Sequence, residues 1–271
     1  MSGVTIAEFL RQTTQTFDAA GITSARLDAL VLMERALKHN KAWLLAHGEE
    51  IIAAEPLAGL QNDARRRANR EPIAYITGQQ EFYGRQFVVT PSVLIPRPET
   101  ELLVDLLKTL PVPDNATLLD VGTGSGVLAI TAASERPHLR VEACDISPTA
   151  LDIATQNAER LGTNIHFFTS DLLVGAEHRY DIIIANLPYV AADWQRSPET
   201  DFEPELALFA TKDGLDLVIK LIAAAPDYLN TNGYLLLEAD PRQFAAIKKV
   251  AQPMFNVIRC EGFVVVLKKV D

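Results

Sequence analysis

The chain is poor in cysteine, with two among 271 residues, Cys144 and Cys260. Two thiols cannot build a disulfide framework, and the expectation is a pair of reduced cysteines in a reducing compartment. Long apolar runs are missing too: no stretch reaches the ~18 uninterrupted apolar residues that a membrane span needs. The opening residues, Met1 to Phe9, show no basic segment followed by an apolar one, so no secretion signal is expected. The histidines, at positions 39, 47, 138, 166 and 178, form no ligand-spaced cluster, and no metal is expected. Positive charge is also short. There are 25 Lys+Arg against 35 Asp+Glu, a net charge of −10. Residues 1–80 hold nine acids and nine bases, so the whole acidic excess belongs to residues 81–271. Tracking of phosphates needs clustered Lys and Arg, and an acidic half is poorly suited to it. The basic cluster Arg65, Arg66, Arg67 and Arg70 reads as a solvated helix face. With 48% hydrophobic and 22% charged residues, the chain has enough apolar surface for a sizeable core. These readings together describe a soluble cytoplasmic protein of one large domain, or a large and a small one.

The first eighty residues are helical in pattern. Ile6, Phe9, Leu10 and Phe17 keep helical spacing within Thr5–Ala20. Ser24 is placed to cap a second helix, with Leu27, Leu30, Val31 and Leu37 along one stripe. A third helix is expected after Pro56, to about Asn69. Such short helices need one another, so a small bundle follows. Residues 81–95 turn aromatic and β-branched around Gly84, which suggests a β-hairpin linker.

From Pro96 the pattern alternates. Strands are expected at Thr117–Val121, Arg140–Asp145, Ile165–Phe168, Tyr180–Ala185 and Tyr234–Glu238. Helices are expected at Glu99–Leu110, Val127–Glu135, Pro148–Leu161, Leu215–Asn230 and Arg242–Val250. Continuous apolar strands between helices predict an α/β fold, a mostly parallel sheet covered on both faces. Two last strands, near Asn256–Cys260 and Phe263–Lys268, are separated only by Glu261-Gly262 and predict an antiparallel hairpin at the sheet's end.

Between the strand ending at Val121 and the helix from Val127 lies Gly122-Thr123-Gly124-Ser125-Gly126. Glycines there permit a tight turn and close approach of a ligand to the backbone. Val127 stands where a dinucleotide fingerprint has its third glycine, and no Lys-Ser/Thr follows, so the loop fits neither a dinucleotide nor a phosphate loop. It suits a nucleoside-containing ligand without a pyrophosphate. Asp145 ends the next strand, where a carboxylate can accept from both ribose hydroxyls; the alternative is a cap for the helix after Ser147. Asp171 is similarly placed to meet an adenine amino group, or to be an ordinary turn residue.

The strand Tyr180–Ala185 runs into Asn186-Leu187-Pro188-Tyr189. Proline stops the strand and fixes φ. The Asn186 side-chain carbonyl and the Leu187 backbone carbonyl supply two acceptors, and Tyr189 supplies a flat face and a hydroxyl. A carboxamide or exocyclic amine is a weak nucleophile because its lone pair is delocalised. Two acceptors aimed at its N–H bonds would orient it and stabilise the charge that develops as nitrogen attacks. This chemistry requires no metal, covalent nucleophile or histidine base.

These motifs, together with Glu71-Pro-Ile-Ala-Tyr-Ile-Thr-Gly78, Ile95-Pro-Arg-Pro-Glu-Thr-Glu101, Phe202-Glu-Pro-Glu-Leu-Ala-Leu208 and Asp213-Gly-Leu-Asp216, make the chain resemble the class I S-adenosylmethionine-dependent methyltransferases. More narrowly, it resembles the HemK/PrmC family that methylates peptide-chain release factors. The resemblance covers nearly the whole chain. It implies a seven-stranded class I sheet, with residues 1–80 as a helical substrate-docking domain, 81–95 as the hairpin linker and 96–271 as the methyltransferase domain. It implies methyl transfer from S-adenosylmethionine, leaving S-adenosylhomocysteine, to the side-chain amide nitrogen of the glutamine in the release factor's Gly-Gly-Gln motif. Gly122, Thr123, Gly124, Ser125, Gly126, Asp145, Leu172 and Asn186 match the family's cofactor site. Asn186, Leu187, Pro188 and Tyr189 match its glutamine-binding loop. The expected partners are release factors, with no nucleic acid and no membrane, and the expected state is a monomer. The family usually has proline where Leu187 stands; leucine keeps the carbonyl and removes one φ restraint.

Three other readings compete. A nucleic-acid amino-methyltransferase would use the same Asn-Leu-Pro-Tyr chemistry. Against it stand five acids and one base beside the reactive loop, Asp193, Glu199, Asp201, Glu203 and Glu205 against Arg196, which would repel a polyanion and welcome a basic protein loop. A binding scaffold without turnover would be expected to have lost one of the motifs. A nicotinamide-dependent dehydrogenase lacks its third glycine.

Overall fold

The computed structural model describes residues 3–190, 194, 196–208 and 214–270. The chain forms two compact units. One is Met1–Gly78 with Ser197–Phe202, and the other is Gln79–Arg196 with Glu203–Asp271.

The first unit holds α1 (Ile6–Ala19), α2 (Ala25–Leu37), α3 (Lys41–Ala46), α4 (Ala54–Ala68) and α5 (Ile73–Thr77). Thr5 caps α1, its hydroxyl accepting from Glu8 N at 3.2 Å. Phe9, Phe17, Met33, Leu44 and Leu60 build a shared core. Of the expected stripe of α2, Leu30 is buried and Leu37 packs on the core, but Leu27 is exposed, and Ala25, Ala29, Leu32 and Met33 fill the inward face at i, i+4, i+7 and i+8. Ser24 sits at the N-cap without a side-chain capping bond. α4 starts ahead of Pro56, which the first turn of a helix tolerates because the missing N–H has no intrahelical partner there.

The basic cluster is not a solvated face at Arg67. That side chain is buried, with Nε 2.7 Å from Asp28 Oδ2 and one terminal nitrogen 3.1 Å from Glu199 Oε1. Arg70 reaches Glu199 Oε2 at 2.7 Å. Buried charges persist only when paired, and the segment Ser197–Phe202 supplies the pairing. Burial works against the Glu199 charge, but the Ser197 hydroxyl and the two guanidiniums overcome it and hold the carboxyl down at about 2.

The second unit opens with a hairpin of β1 (Gln79–Phe82) and β2 (Arg85–Val88). Tyr83 and Gly84 both have positive φ, 52° and 72°, as a two-residue hairpin turn demands. Pairing begins at Gln79 and ends at Val88 rather than extending to residue 95, since Pro91 and Pro96 have no N–H to give a ladder. Then come α6 (Glu101–Thr109), β3 (Thr117–Val121), α7 (Val127–Glu135), β4 (Arg140–Asp145), α8 (Pro148–Leu161), β5 (His166–Thr169) and β6 (Tyr180–Ala185). They are followed by α9 (Glu205–Leu208), α10 (Asp216–Tyr228), β7 (Leu229–Glu238), α11 (Phe244–Ala251), β8 (Phe255–Glu261) and β9 (Val264–Lys269).

The sheet has seven strands in the order β5-β4-β3-β6-β7-β9-β8. β5, β4, β3, β6 and β7 are parallel, and β9 is antiparallel to both its neighbours. This is the mostly parallel α/β sheet expected. Alternate residues serve opposite faces: Leu118, Ile182 and Ile184 pack under α6 and α7, while Leu119, Ile183 and Ala185 pack against α10 and α11. The strand order reverses between β3 and β6, which opens a crevice at their carboxyl ends. Among the described residues, no helix is long and apolar enough to cross a membrane.

Candidate active site

The crevice is a pocket lined by the turns that follow four parallel strands. Gly122–Ser125 come from β3, Asp145–Ser147 from β4, Ser170–Leu172 from β5 and Asn186–Pro188 from β6. A fifth wall, Ser92 to Thr100, and Pro204, Leu206 and Ala207 complete it. Of the candidate cofactor and substrate residues of the glycine loop, Asp145, Asp171-Leu172 and the Asn186 loop, all line this pocket except Gly126 and Tyr189. A wider groove opens at the amino-terminal ends of β4, β5 and β6, but it holds none of the motif residues.

The glycine loop is left-handed at φ 73°, 56° and 83° for Gly122, Gly124 and Gly126. Around Gly124 there is open space where a side chain would stand. Gly126 lies behind the pocket, at the N-cap of α7 against Ala154 and Ile130. Two backbone bonds tie the loop to β4, Gly122 N and Thr123 N donating to the Cys144 carbonyl at 2.9 and 3.0 Å. Asp145 ties the two turns together: Oδ2 accepts from Gly124 N at 2.9 Å, Oδ1 accepts from Ser147 N at 2.9 Å, and the residue lines the pocket, while the helix that follows is capped by the Ser147 hydroxyl. A carboxylate has about four acceptor sites, so lone pairs remain for a ligand.

Two supporting roles were not read from the sequence. Asp120 is fully buried beneath the loop, where Oδ2 accepts from the Thr123 hydroxyl at 2.7 Å and from Ala129 N at 3.1 Å. Burial pushes its carboxyl up to about 7 against the lowering effect of those two donors, and the charge on Asp145 adds to the rise. Asn157 on α8 donates to the Ser125 carbonyl at 2.9 Å and exchanges bonds with Val88, so the hairpin and the glycine loop share one anchor. A lone acid in an apolar strand and an Asn on an inward helix face were the available signals. Their partners lie too far along the chain to read.

At the Asn186 corner, Nδ2 donates to the Thr100 hydroxyl at 3.0 Å. Leu187 is buried, with its side chain against Gly122. Tyr189 does not line the pocket. Its hydroxyl donates to Glu238 Oε1 at 3.0 Å, its carbonyl accepts from Gln243 Nε2 at 3.0 Å, and Gly214 passes so close that any side chain there would strike that carbonyl. Burial raises the Tyr189 phenol, and the neighbouring Glu238 charge raises it further. Thr100 and Glu238 are the other unforeseen residues here, although Thr100 sits inside the family-like Pro-Arg-Pro-Glu-Thr segment and Glu238 is the single acid ending β7.

The acid cluster is less free than its composition implied. Glu203 is buried on Arg97 and Ile95 N, which joins two pocket walls, and Glu199 is held by Arg67 and Arg70. Asp193 lies outside the described residues, as does Asp213 of the downstream motif. The nearby thiol offers no nucleophile, because burial pushes Cys144 up to about 12.

Residues 8–78 match the model of the PrmC N-terminal domain, and residues 99–199 match that of the methyltransferase small domain. A release factor glutamine methyltransferase of Koribacter versatilis is 40% identical over 248 residues, 89% of this chain and 86% of that protein. One from Neisseria gonorrhoeae is 41% identical over 232 residues, 83% of this chain and 84% of its own. Among solved structures, a methyltransferase from Pyrococcus furiosus superposes with a TM-score of 0.55 at 20% identity, over 77% of this chain and 98% of that one. A 16S rRNA N2 G1207 methyltransferase of T. thermophilus, in complex with AdoMet and guanosine, gives 0.53 at 18% identity over 70% of this chain and 49% of its own. At such identities the structural likeness concerns the fold.

Proposed function

This chain belongs to the family of release factor glutamine methyltransferases, and we propose that it transfers a methyl group from S-adenosylmethionine to the glutamine side-chain nitrogen of the Gly-Gly-Gln motif in peptide-chain release factors. The observation that carries the reading is the position of Asn186. It lines the same pocket as the glycine loop, and its amide nitrogen is already engaged by Thr100.

The residues of the pocket fit the methyl donor. The space over Gly124 admits a ligand against the backbone, Asp145 offers acceptors for ribose hydroxyls, and Asp171 and Leu172 stand at the next turn. Bound there, S-adenosylmethionine supplies a methyl carbon activated by a sulfonium. The protein's own share is positioning. Asn186 Oδ1 and the Leu187 carbonyl accept the two N–H bonds of the substrate carboxamide, fix its plane and stabilise positive charge on nitrogen. Pro188 holds the corner's backbone. Tyr189 braces the corner from behind, its hydroxyl rather than its flat face engaged, on Glu238.

In the same reading the helical unit binds the body of the release factor, and the protein is a cytoplasmic monomer without nucleic-acid partners. Purified release factor incubated with labelled S-adenosylmethionine tests the proposal, with mass mapping of the product. One methyl on the Gly-Gly-Gln glutamine supports it. Label on RNA, or none on the factor, contradicts it.

A further inference from the structure

Next to Asn186, at the wall of the pocket, lies a small polar cluster of Thr100, Tyr189 and Glu238. Thr100 is buried in the turn Pro98–Thr100, and Glu238 at the end of β7 is 1% exposed. Glu238 Oε1 accepts from the Tyr189 hydroxyl, while Oε2 has no hydrogen-bond partner. An unsatisfied buried carboxylate oxygen costs stability, so its retention calls for a reason. Burial pushes this carboxyl up to about 7, while Thr100, Tyr189 and Asn186 favour its charged form and Glu99 opposes it.

We infer that Thr100 and Glu238 are positioning residues for methyl transfer, fixing the Asn186 carboxamide so that Oδ1 rather than Nδ2 meets the substrate nitrogen. A hydroxyl oxygen carries two lone pairs, so Thr100 can serve as an acceptor. Asn186 presents N–H to Thr100 in the 3.0 Å bond from Nδ2. The opposite end of the planar amide, Oδ1, is left for the pocket. Rotated by half a turn, Asn186 would point N–H at the substrate's own N–H bonds, a repulsive pairing. Tyr189, held on the same carboxylate, fixes the backbone two peptide bonds beyond Leu187.

This inference rests on the role of Asn186 proposed above, so the test separates the two. Thr100→Val keeps the side chain's shape and removes its oxygen. It is expected to lower kcat about 10-fold or more, with the S-adenosylmethionine Kd unchanged within about 3-fold. Thr100→Ser is expected to restore most of the rate. In the Asn186→Ala background Thr100→Val should cost nothing further, since its effect passes through Asn186. If Thr100→Val does not fold, Glu238→Gln provides the second test, with a fall in kcat and an unaltered cofactor Kd expected. The inference is overturned if either folded variant keeps wild-type kcat, if serine rescues no better than valine, or if the losses multiply in the double variant. Wild-type turnover in Asn186→Ala alone would instead overturn the role of Asn186 itself.

Discussion

Leu187 Cδ2 lies 2.8 Å from where a side chain on Gly122 would begin. The Asn186–Tyr189 corner and the glycine loop are thus packed against each other through one leucine and one missing side chain. Gly122 also has φ 73°, a left-handed conformation that costs other residues roughly 1–2 kcal/mol. Gly122→Ala should therefore destabilise the enzyme by about 1–3 kcal/mol in denaturant unfolding. Part of that loss should vanish in a Leu187→Ala background, where the clash is gone. Equal losses in both backgrounds would show that the contact carries no weight.

Asp145→Ala should weaken S-adenosylmethionine binding at least ~10-fold by calorimetry, since it removes acceptors worth ~1.5–3 kcal/mol each. It also frees Gly124 N and Ser147 N, so Asp145→Asn should fall between the two. An unchanged dissociation constant in both variants would remove Asp145 from the cofactor site.

Arg67 is the interior hub of the helical unit. Arg67→Ala leaves Asp28 buried without its partner and should cost about 3–5 kcal/mol in chemical unfolding, as for other broken buried ion pairs. A loss below about 1 kcal/mol would place the pair among solvent-screened contacts.

Asp120 sets a pH dependence. Its folded carboxyl, raised to about 7, keeps its proton in a range where the unfolded chain, near the ordinary 3.8, has given it up. The native state then binds more protons, so this contribution makes stability fall as pH rises between those values, on the order of 1 kcal/mol per pH unit. Glu238, raised to about 7 by burial, acts in the same direction. Asp120→Asn should flatten the slope of unfolding free energy against pH between 4 and 7. An identical slope would show that Asp120 is ionised in the folded protein throughout.

Much of the second unit could be read from the sequence because its signals are local. β3, β4, β6, α7 and α8 start and stop where apolar runs meet Gly, Asp, Pro or Asn, and the motif residues on their turns converge because parallel strands end together. Other features depend on partners remote in sequence. Arg67 looked like a surface charge until Asp28 and Glu199 were brought to it. Leu27 looked like core by spacing, but the small Ala25 and Ala29 face the packed side of α2. α3 and α5, six and five residues long, are too short to show a period. Tyr189 carried the right residue type for stacking, yet a buried acid near the chain's far end claims its hydroxyl. Thr100 had no chemical signal of its own, and only its contact with Asn186 gives it one.

The most direct measurement is the single-turnover rate of Asn186→Ala on release factor at saturating S-adenosylmethionine. A fall of ~100-fold or more, with cofactor affinity largely kept, is the outcome expected when one transition-state contact is removed. A rate within about 3-fold of the wild type would show that this side chain does not hold the reacting nitrogen.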